Sequence, residues 1–325
     1  MTSIEFSLVT ESFNVVDGQS FAGLQGAIAA LTAIARRVDA EILITDAIGD
    51  GRLQALAASA EVPIRVLDAV GLDYDAQKNL AANAARGRYV AYLDGDCLPR
   101  REDWLERITA PLRDGEADAV GGLTVYDDPS VTGIAATVMD FGYVWDAADG
   151  SLGCYSSNNV AFRRDLRCAL PIDASELRCN CYAHTQALLR DGRRVRFAVD
   201  AVVAHEVPDM PAERHRRGWD VVAACWSNPR QVETTQLHPT QTAFEWQLRR
   251  LQHLDLVRLQ RAPQAVGVHA GNRDAVLDEI VRLRRIEAAG LRDALIAGER
   301  EGRNAAARAA FAQWRDAQRT LDAVV

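Results

Sequence analysis

Residues 78–96 read KNLAANAARGRYVAYLDGD and place a helical pattern, a glycine and a strand pattern in direct succession. The alanine-rich part predicts a helix over Tyr74–Arg86, and Gly87 is typical of the position just past a helix end. Tyr89–Leu93 is a short apolar run of the kind that forms a buried strand. Asp94-Gly95-Asp96 follows at once, so carboxylates are placed directly at the end of a buried strand.

The same alternation of β-rich runs and helical patterns extends over about the first two hundred residues. The predicted strands are Ile4–Thr10, Glu41–Thr45, Ile64–Leu67, Tyr89–Leu93, Ala119–Val125, Cys154–Arg163, Arg194–Val199 and Ala201–Ala204. The predicted helices are Phe21–Arg37, Leu53–Ser59, Tyr74–Arg86, Glu102–Leu112 and Tyr182–Arg190. This order predicts an α/β fold, Rossmann-like, with a mostly parallel sheet flanked by helices.

After Pro211 the β-branched alternation ends and long patterns of Ala, Leu, Arg and Glu follow. We predict helices at Pro211–Trp226, Thr240–Arg261, Arg273–Ala297 and Asn304–Val324. The chain therefore divides into an α/β domain over 1–210, which would hold the functional site, and a helical C-terminal region over 211–325, which would complete the acceptor side of that site or form a homodimer. An apolar stripe in the third of these helices predicts either packing inside the chain or a homodimer seam; its members are Leu277, Ile280, Val281, Ile286 and Leu291.

The composition excludes several classes of protein. The chain has 325 residues, of which 48% are hydrophobic and 25% are charged, as in an ordinary globular protein. Lys and Arg total 37 against 45 Asp and Glu, so the formal net charge is −8. An acidic chain has no overall positive field to hold phosphates, and we predict no nucleic-acid partner.

The sequence also gives no sign of a membrane span. The first ten residues lack a charged start followed by a long apolar run, and no stretch approaches the ~18 apolar residues of a membrane helix. The six cysteines form no CxxC pair of the kind that binds zinc. We therefore predict a soluble, cytoplasmic protein with free thiols.

Polar residues cluster at the carboxyl ends of the predicted strands, where open α/β sheets bind their ligands. Thr10, Glu11 and Asp46 lie at two such ends, and the Asp94-Gly95-Asp96 turn lies at a third. Two carboxylates so close together suit Mg²⁺ or Mn²⁺, which bind through one or two carboxylates plus substrate phosphates. A plain surface turn is the alternative, because Asp-Gly is a common turn dipeptide.

Further motifs occur in a fixed order along the chain. SLVTESFN at residues 7–14 precedes the 78–96 stretch, and NNVAFRR at 158–164 and GRRVRF at 192–197 follow it, with His205 after them. This series resembles the family 2 glycosyltransferases of GT-A fold and covers roughly residues 4 to 217. The resemblance implies transfer of a sugar from a nucleoside-diphosphate sugar, with a UDP-sugar as the preferred donor.

The resemblance also implies roles for the donor-side residues. Thr10, Glu11 and Asp46 would hold the base and ribose, and Lys78 would offer its charge to a phosphate. These four residues precede the turn at residue 94 in the chain.

The remaining implied roles concern a divalent cofactor, Mn²⁺ or Mg²⁺. Asp94-Gly95-Asp96 matches the DXD motif, in which Asp94 would approach the ribose or the metal. Asp96 would bind the metal directly and take part in catalysis. His205 could complete the metal site, whereas the other interpretation is a structural histidine at a strand end.

One departure from the family pattern affects the catalytic base. Inverting members commonly use an acidic pair at the start of the helix before the glycine that matches Gly192, and here that pair falls on Asn180 and Cys181. An amide has no useful proton affinity, and a thiol of pKa ~8.5 needs activation. Glu176 is the leading replacement, with Asp173 or His184 behind it.

Three accounts of this departure stay open. A neighbouring group such as Glu176 supplies the base; or the enzyme is retaining, or uses an acceptor that needs little deprotonation; or the protein binds nucleotide sugar without transferring it. The acceptor is unidentified and could be a saccharide, a small molecule or a lipid-linked compound.

The basic cluster Glu213–Trp219 has two interpretations: it contacts phosphate and acceptor, or it packs into the domain junction. Trp145 is a weaker candidate for the acceptor pocket.

Overall fold

The structure is a computed structural model that describes residues 4–18, 20–145, 152–173, 180–228, 231, 235, 237 and 241–322. Its strands are β1 (Phe6–Glu11), β2 (Ala40–Asp46), β3 (Ile64–Asp68), β4 (Tyr89–Leu93), β5 (Cys97–Pro99), β6 (Ala119–Tyr126), β7 (Asn159–Arg163) and β8 (Val195–His205). They form one mixed sheet of eight strands in the order β3-β2-β1-β4-β7-β6-β8-β5.

Helices cover both faces of this sheet and continue beyond it. In the α/β part they are α1 (Phe13–Val16), α2 (Phe21–Ala35), α3 (Arg52–Ala58), α4 (Tyr74–Ala84), α5 (Trp104–Arg113), α6 (Val131–Phe141), α7 (Arg164–Ala169) and α8 (Asn180–Arg190). The C-terminal region contains α9 (Met210–Ser227), α10 (Ala243–Arg250), a π-helical turn (Leu251–Asp255), α11 (Leu256–Arg261), α12 (Arg273–Arg300) and α13 (Asn304–Asp322). Short 3₁₀ turns occur at Gly142–Val144 and Gln264–Val266.

The predicted α/β architecture is confirmed. Strands β3, β2, β1 and β4 run parallel, and β6 and β8 also pair in parallel, whereas β7 and β5 are antiparallel to their neighbours. Because β1, β2 and β4 point the same way, their carboxyl ends meet at one edge of the sheet. Glu11, Asp46 and Asp94 all lie at or next to that edge.

Three details differ from the sequence prediction. The predicted strand over Cys154–Arg163 begins only at Asn159, because Ser156 Oγ donates to Asn158 Oδ1 at 2.7 Å and this local bond replaces a strand ladder. The two β-rich runs after Arg194 form the single strand β8, with a shift in its pairing opposite Gly122 and Leu123. Helices α6 and α7 and the short strand β5 were not predicted.

The C-terminal helices pack directly onto the α/β part. Val276, Ile280 and Leu283 of α12 lie in the same buried apolar cluster as residues of β6 and α6. Helices α9 and α12 cross so closely that a Cβ at Gly218 would lie 1.9 Å from the carbonyl oxygen of Glu287. The apolar stripe predicted for this helix therefore packs inside the chain. A homodimer through these helices and a domain boundary near residue 210 stay predictions.

Candidate active site

Strand pairing brings the end of the DXD motif beside the end of the last strand. In the antiparallel pair of β5 and β8, Cys97 stands opposite His205. Asp96 immediately precedes Cys97, and its Oδ2 lies 3.4 Å from Nε2 of His205. The two residues predicted to bind a metal are therefore adjacent in space, within a buried corner of the sheet edge.

The hydrogen bonds around His205 define its proton position. Its Nδ1 lies 2.7 Å from the carbonyl oxygen of Glu206, and since a carbonyl only accepts, Nδ1 carries the hydrogen. Nε2 is then the nitrogen that can bind a metal, and it faces Asp96. The ring is held in place by edge contacts with Tyr126 and Phe141 at centroid distances of 5.4 and 5.7 Å.

Asp96 has two further partners besides His205. Asn14 Nδ2 donates to Asp96 Oδ2 at 2.9 Å, and the Cys97 thiol approaches Oδ1 at 3.4 Å. Burial raises the pKa of Asp96, an effect that His205 opposes. Asn14 thus fixes the carboxylate from the loop after β1.

The residues of this corner fit a hard divalent cation. Ligand atoms of Asp96, Cys97 and His205 lie within 4.8 Å of one another. Burial raises the pKa of the Cys97 thiol well above its usual value, so the sulfur stays protonated and is a poor ligand for Mn²⁺ or Mg²⁺. A carboxylate and an imidazole are left, which suits a cation that takes its other ligands from substrate phosphates and water.

Asp94 is held by helix α4. Lys78 Nζ donates to Asp94 Oδ1 at 2.5 Å and to the Ser157 carbonyl at 2.9 Å, and the Tyr74 hydroxyl donates to Asp94 Oδ2 at 2.5 Å. Burial by itself would lower the pKa of Lys78, but Asp94 and Glu11 raise it above its usual value. The ammonium is therefore charged, and it compensates part of the negative charge gathered at the strand ends.

Glu11 joins the loops after β1 and β4. Its Oε2 accepts from the backbone N–H of Asn14 at 3.1 Å, and its Oε1 accepts from that of Gly95 at 3.3 Å. Burial, together with the charge of Asp94, raises the pKa of Glu11 to about 8. Gly95 has no room for a side chain, because a Cβ there would lie 2.6 Å from the Glu11 carbonyl oxygen.

Asp46 ends β2, which lies on the side of β1 away from β4, and Thr10 lies within β1. Asp46 Oδ1 accepts from the backbone N–H groups of Ile48 and Gly49, both at 3.0 Å, and its Oδ2 accepts from Gln54 at 3.0 Å. Thr10 is buried, and its hydroxyl forms no hydrogen bond with the part of the chain that the structure describes. The structure thus separates the predicted donor residues into a loop formed by Asp46 and a carboxylate cluster formed by Glu11, Asp94 and Asp96.

The position of the expected catalytic base is occupied by a polar contact between two helices. Asn180, the first residue of α8, donates its side-chain amide to Asp75 of α4. His184 is not available as a base: its Nε2 donates to the Leu170 carbonyl, its Nδ1 accepts from the Tyr155 hydroxyl, and burial lowers its pKa to about 4. Glu176 lies outside the described residues.

The basic cluster after His205 is bound within the chain. Arg214 is buried and forms a two-pronged ion pair with Asp140, and Arg217 binds Asp140 at 3.0 Å and Glu213 at 2.6 Å. The Trp219 ring lies 6.1 Å from the Trp226 ring, centroid to centroid. These contacts favour the packing interpretation of the cluster.

Trp145 is likewise buried, and its indole N–H donates to the Arg258 carbonyl at 3.0 Å. Its polar edge is thus directed to the C-terminal helices and not to an acceptor.

Three residues near the site, Asn14, Tyr74 and Asp75, are not predicted as site residues by the sequence patterns. Tyr74 lies one helical turn before Lys78, so the spacing alone places it on the same face of α4. Asn14 follows β1 by three residues, and Asp75 lies in the first turn of α4. The first two contact the DXD carboxylates, and the third contacts Asn180.

Comparisons with known proteins agree with this fold. Residues 20–167 match the family model described as glycosyl transferase family 2. No curated protein sequence matches the chain.

Among the described residues, no helix combines the length and apolar character needed to cross a membrane.

Two solved structures are similar to the chain. The mannosyltransferase PcManGT from Pyrobaculum calidifontis, in complex with GDP-Man and Mn²⁺, has a TM-score of 0.54 and 15% identity over 91% of this chain and 86% of its own. GalNAc-T7 with UDP, GalNAc and Mn²⁺ has a TM-score of 0.50 and 13% identity over 62% of this chain and 43% of its own.

The fold is that of the GT-A glycosyltransferases, and the buried carboxylates lie at its strand ends. Residues 20–167 match the model of glycosyl transferase family 2, and this match supports a glycosyltransferase.

Proposed function

We propose that this glycosyltransferase uses a nucleoside-diphosphate sugar and a divalent cation, Mn²⁺ or Mg²⁺, and that Asp96 and His205 bind the cation. The observation that carries the proposal is the 3.4 Å approach of His205 Nε2 to Asp96 Oδ2 at the end of β4 and β8. The imidazole proton on Nδ1 is engaged by a backbone carbonyl, so Nε2 and the carboxylate are both directed to one point.

The cation would neutralise the negative charge that develops on the departing nucleoside diphosphate. The residues of the chain itself have complementary tasks. Lys78 and Tyr74 hold Asp94 in place, and Asn14 holds Asp96, so the carboxylates need little rearrangement when the donor binds. Such fixed positions keep the cost of assembling the site low.

The nucleoside would lie along the edge formed by β1 and β2. Asp46 closes the loop after β2, and Thr10 and Glu11 end β1, so these three residues border one side of the carboxylate cluster. Lys78 and Gly95 border the other side, next to Asp94 and Asp96. This is the topological position at which open α/β sheets bind nucleotides.

The donor itself is proposed to be a UDP-sugar. The two similar solved structures contain different nucleotides, since one is a complex with GDP-Man and the other contains UDP and GalNAc. A panel of donors must therefore include both bases. The acceptor is proposed to be a saccharide, a small molecule or a lipid-linked compound.

Calorimetric titration of the wild-type protein with UDP- and GDP-sugars, with and without Mn²⁺, tests the proposal. Metal-dependent binding of one donor, together with release of the nucleoside diphosphate, would support it. Metal-dependent binding without any release would instead favour a nucleotide-sugar-binding protein. Absence of binding to every donor would contradict the account of the site.

A further inference from the structure

Asp75 is a buried carboxylate on α4 that contacts Asn180, the position where the family pattern leads one to expect a base. It lies in the first turn of α4 and is only 7% exposed. Its Oδ2 accepts the side-chain amide of Asn180, the residue that replaces the usual acid at the start of α8. Its Oδ1 is buried and accepts no hydrogen bond from any residue that the structure describes. A buried carboxylate oxygen without a partner costs free energy, so it points to a ligand that supplies the bond.

The position of Asp75 on α4 also places it close to the donor site. Residues three apart on a helix are neighbours, about 5–6 Å apart at Cβ, so Asp75 lies beside Lys78. Lys78 contacts Asp94 at 2.5 Å, and Tyr74, the residue before Asp75, contacts the same carboxylate at 2.5 Å. Asp75 therefore lies between the carboxylate cluster and the start of α8.

The charges around Asp75 are arranged so that it can exchange a proton. Burial raises its pKa above the usual value, and Asn180, Lys78 and Arg167 oppose that rise. A carboxylate whose pKa lies nearer to neutrality is a better base than one on the surface. The titratable and charged groups that face it are Asp73, Tyr74 and Lys78 from α4, Tyr155 from the segment before β7, Arg167 from α7 and Cys181 from α8.

We propose that Asp75 of helix α4 is the base that deprotonates the acceptor hydroxyl, replacing the acid that α8 lacks. This inference rests on the proposed function. The acceptor O–H would donate to Oδ1, the oxygen without a partner, while Asn180 holds Oδ2.

The step balances without any further reactant. The acceptor oxygen forms a bond to the anomeric carbon, and the bond from that carbon to the diphosphate oxygen breaks, with its electron pair leaving on the nucleoside diphosphate. The acceptor proton passes to Asp75 and is later lost to solvent. A single displacement of this kind inverts the anomeric configuration, as the pairing of a base with an incoming hydroxyl does in inverting glycosidases.

The decisive variant is Asp75→Asn, because an amide keeps an oxygen for Asn180 and removes the proton affinity. Nucleoside diphosphate release is followed with Mn²⁺ and the donor that the wild type binds, using water and then a mixture of methyl α- and β-hexosides as acceptors. Asp73→Asn is the matched control, since it changes a carboxylate two residues away to another good helix cap. Glu176→Gln is measured in parallel.

We expect Asp75→Asn to bind donor and Mn²⁺ as the wild type does and to lose turnover by about 10²–10⁴-fold. The rise of turnover with pH that a base of this kind gives the wild type should disappear in this variant. Asp73→Asn should retain both the rate and the pH profile, and the result in Glu176→Gln decides between Asp75 and Glu176 as the base.

Wild-type turnover in Asp75→Asn would overturn this assignment alone. Loss of turnover and of pH dependence in Glu176→Gln, with Asp75→Asn unaffected, would also overturn it. That result would identify Glu176 as the base. A loss in Asp75→Asn that follows from lost donor affinity, without any change of pH profile, would show a structural role and also overturn it. Absence of donor binding in the wild type would overturn the proposed function and this assignment together.

Discussion

His205 Nε2 lies 3.4 Å from Asp96 Oδ2, although the two residues are far apart in the sequence. The pairing of β5 with β8 produces this contact, because Cys97 stands opposite His205 in the register. A three-residue strand thus determines whether the DXD carboxylate has a second ligand beside it.

His205→Gln should weaken Mn²⁺ binding by about tenfold or more. Mutation of residues that only orient the metal ligands already lowers metal affinity by about 10–100-fold. His215→Gln is the matched control, because His215 is half-exposed and pairs with Asp293 on the surface of α12. Manganese titration by electron paramagnetic resonance measures both affinities. Equal affinities in the two variants would remove His205 from the metal site.

Gly95→Ala should disrupt the DXD turn. A Cβ at this position would lie 2.6 Å from the Glu11 carbonyl and 2.9 Å from a methyl group of Leu24, so the turn must shift. We expect strongly reduced donor and metal binding, measured by calorimetry, with the circular dichroism of the folded protein retained. Gly153→Ala has nothing within 4 Å of its added Cβ and should bind normally. Normal binding in Gly95→Ala would mean that the tight turn is not needed.

The sequence predicted local structure well wherever a pattern was repeated over one element. Tyr89–Leu93 was predicted to the residue, because a wholly apolar run before two aspartates has one reasonable interpretation. Helix α6 was missed, although Ser130 caps it by accepting from Gly133, since β-branched and glycine residues within it weaken the helical signal.

The parts of the site that could not be predicted depend on contacts between distant segments. Strand β5 is too short to leave a pattern, so the approach of Asp96 to His205 could be expected only from the family resemblance. The Asp75–Asn180 contact joins two helices far apart in the sequence, and no local pattern encodes it. The bond between Lys78 and Asp94 also joins two separate elements, so the sequence predicts only a phosphate contact for Lys78 and not this bond.

His184 should make stability depend on pH. Burial lowers its pKa from 6.5 to about 4, so between these values the unfolded chain binds a proton that the folded chain does not. The contribution of His184 to the free energy of unfolding is therefore fully present above pH 6.5. It is lost as the pH falls toward 4, and the loss is at most about 3 kcal/mol.

Urea unfolding of the wild type and of His184→Gln across this range measures the effect. The part of the pH dependence of the unfolding free energy that comes from His184 should vanish in His184→Gln and persist in His215→Gln. Identical slopes in the wild type and His184→Gln would contradict the assignment of a neutral, buried imidazole.

Gly290→Ala should destabilise the crossing of α9 and α12. A Cβ at Gly290 would lie 1.9 Å from the backbone carbonyl oxygen of His215, which cannot move without shifting α9. Overpacking of this kind lowers the free energy of unfolding by about 1–3 kcal/mol, and we expect a clash with backbone to give a value near the upper end of this range. The free energy of unfolding in urea checks the prediction. Gly271→Ala, which meets only the His269 side chain at 3.4 Å, should cost far less.

The most direct test of the metal-dependent donor site compares the wild type with Asp96→Asn in one assay. Nucleoside diphosphate release from UDP- and GDP-sugars is followed with Mn²⁺ and again with excess chelator. Asp200→Asn is the control, because that carboxylate is exposed and pairs only loosely with Arg107. We predict release by the wild type and Asp200→Asn that requires Mn²⁺ and is absent in Asp96→Asn. Release by Asp96→Asn at the wild-type rate, or release unaffected by the chelator, would contradict the account.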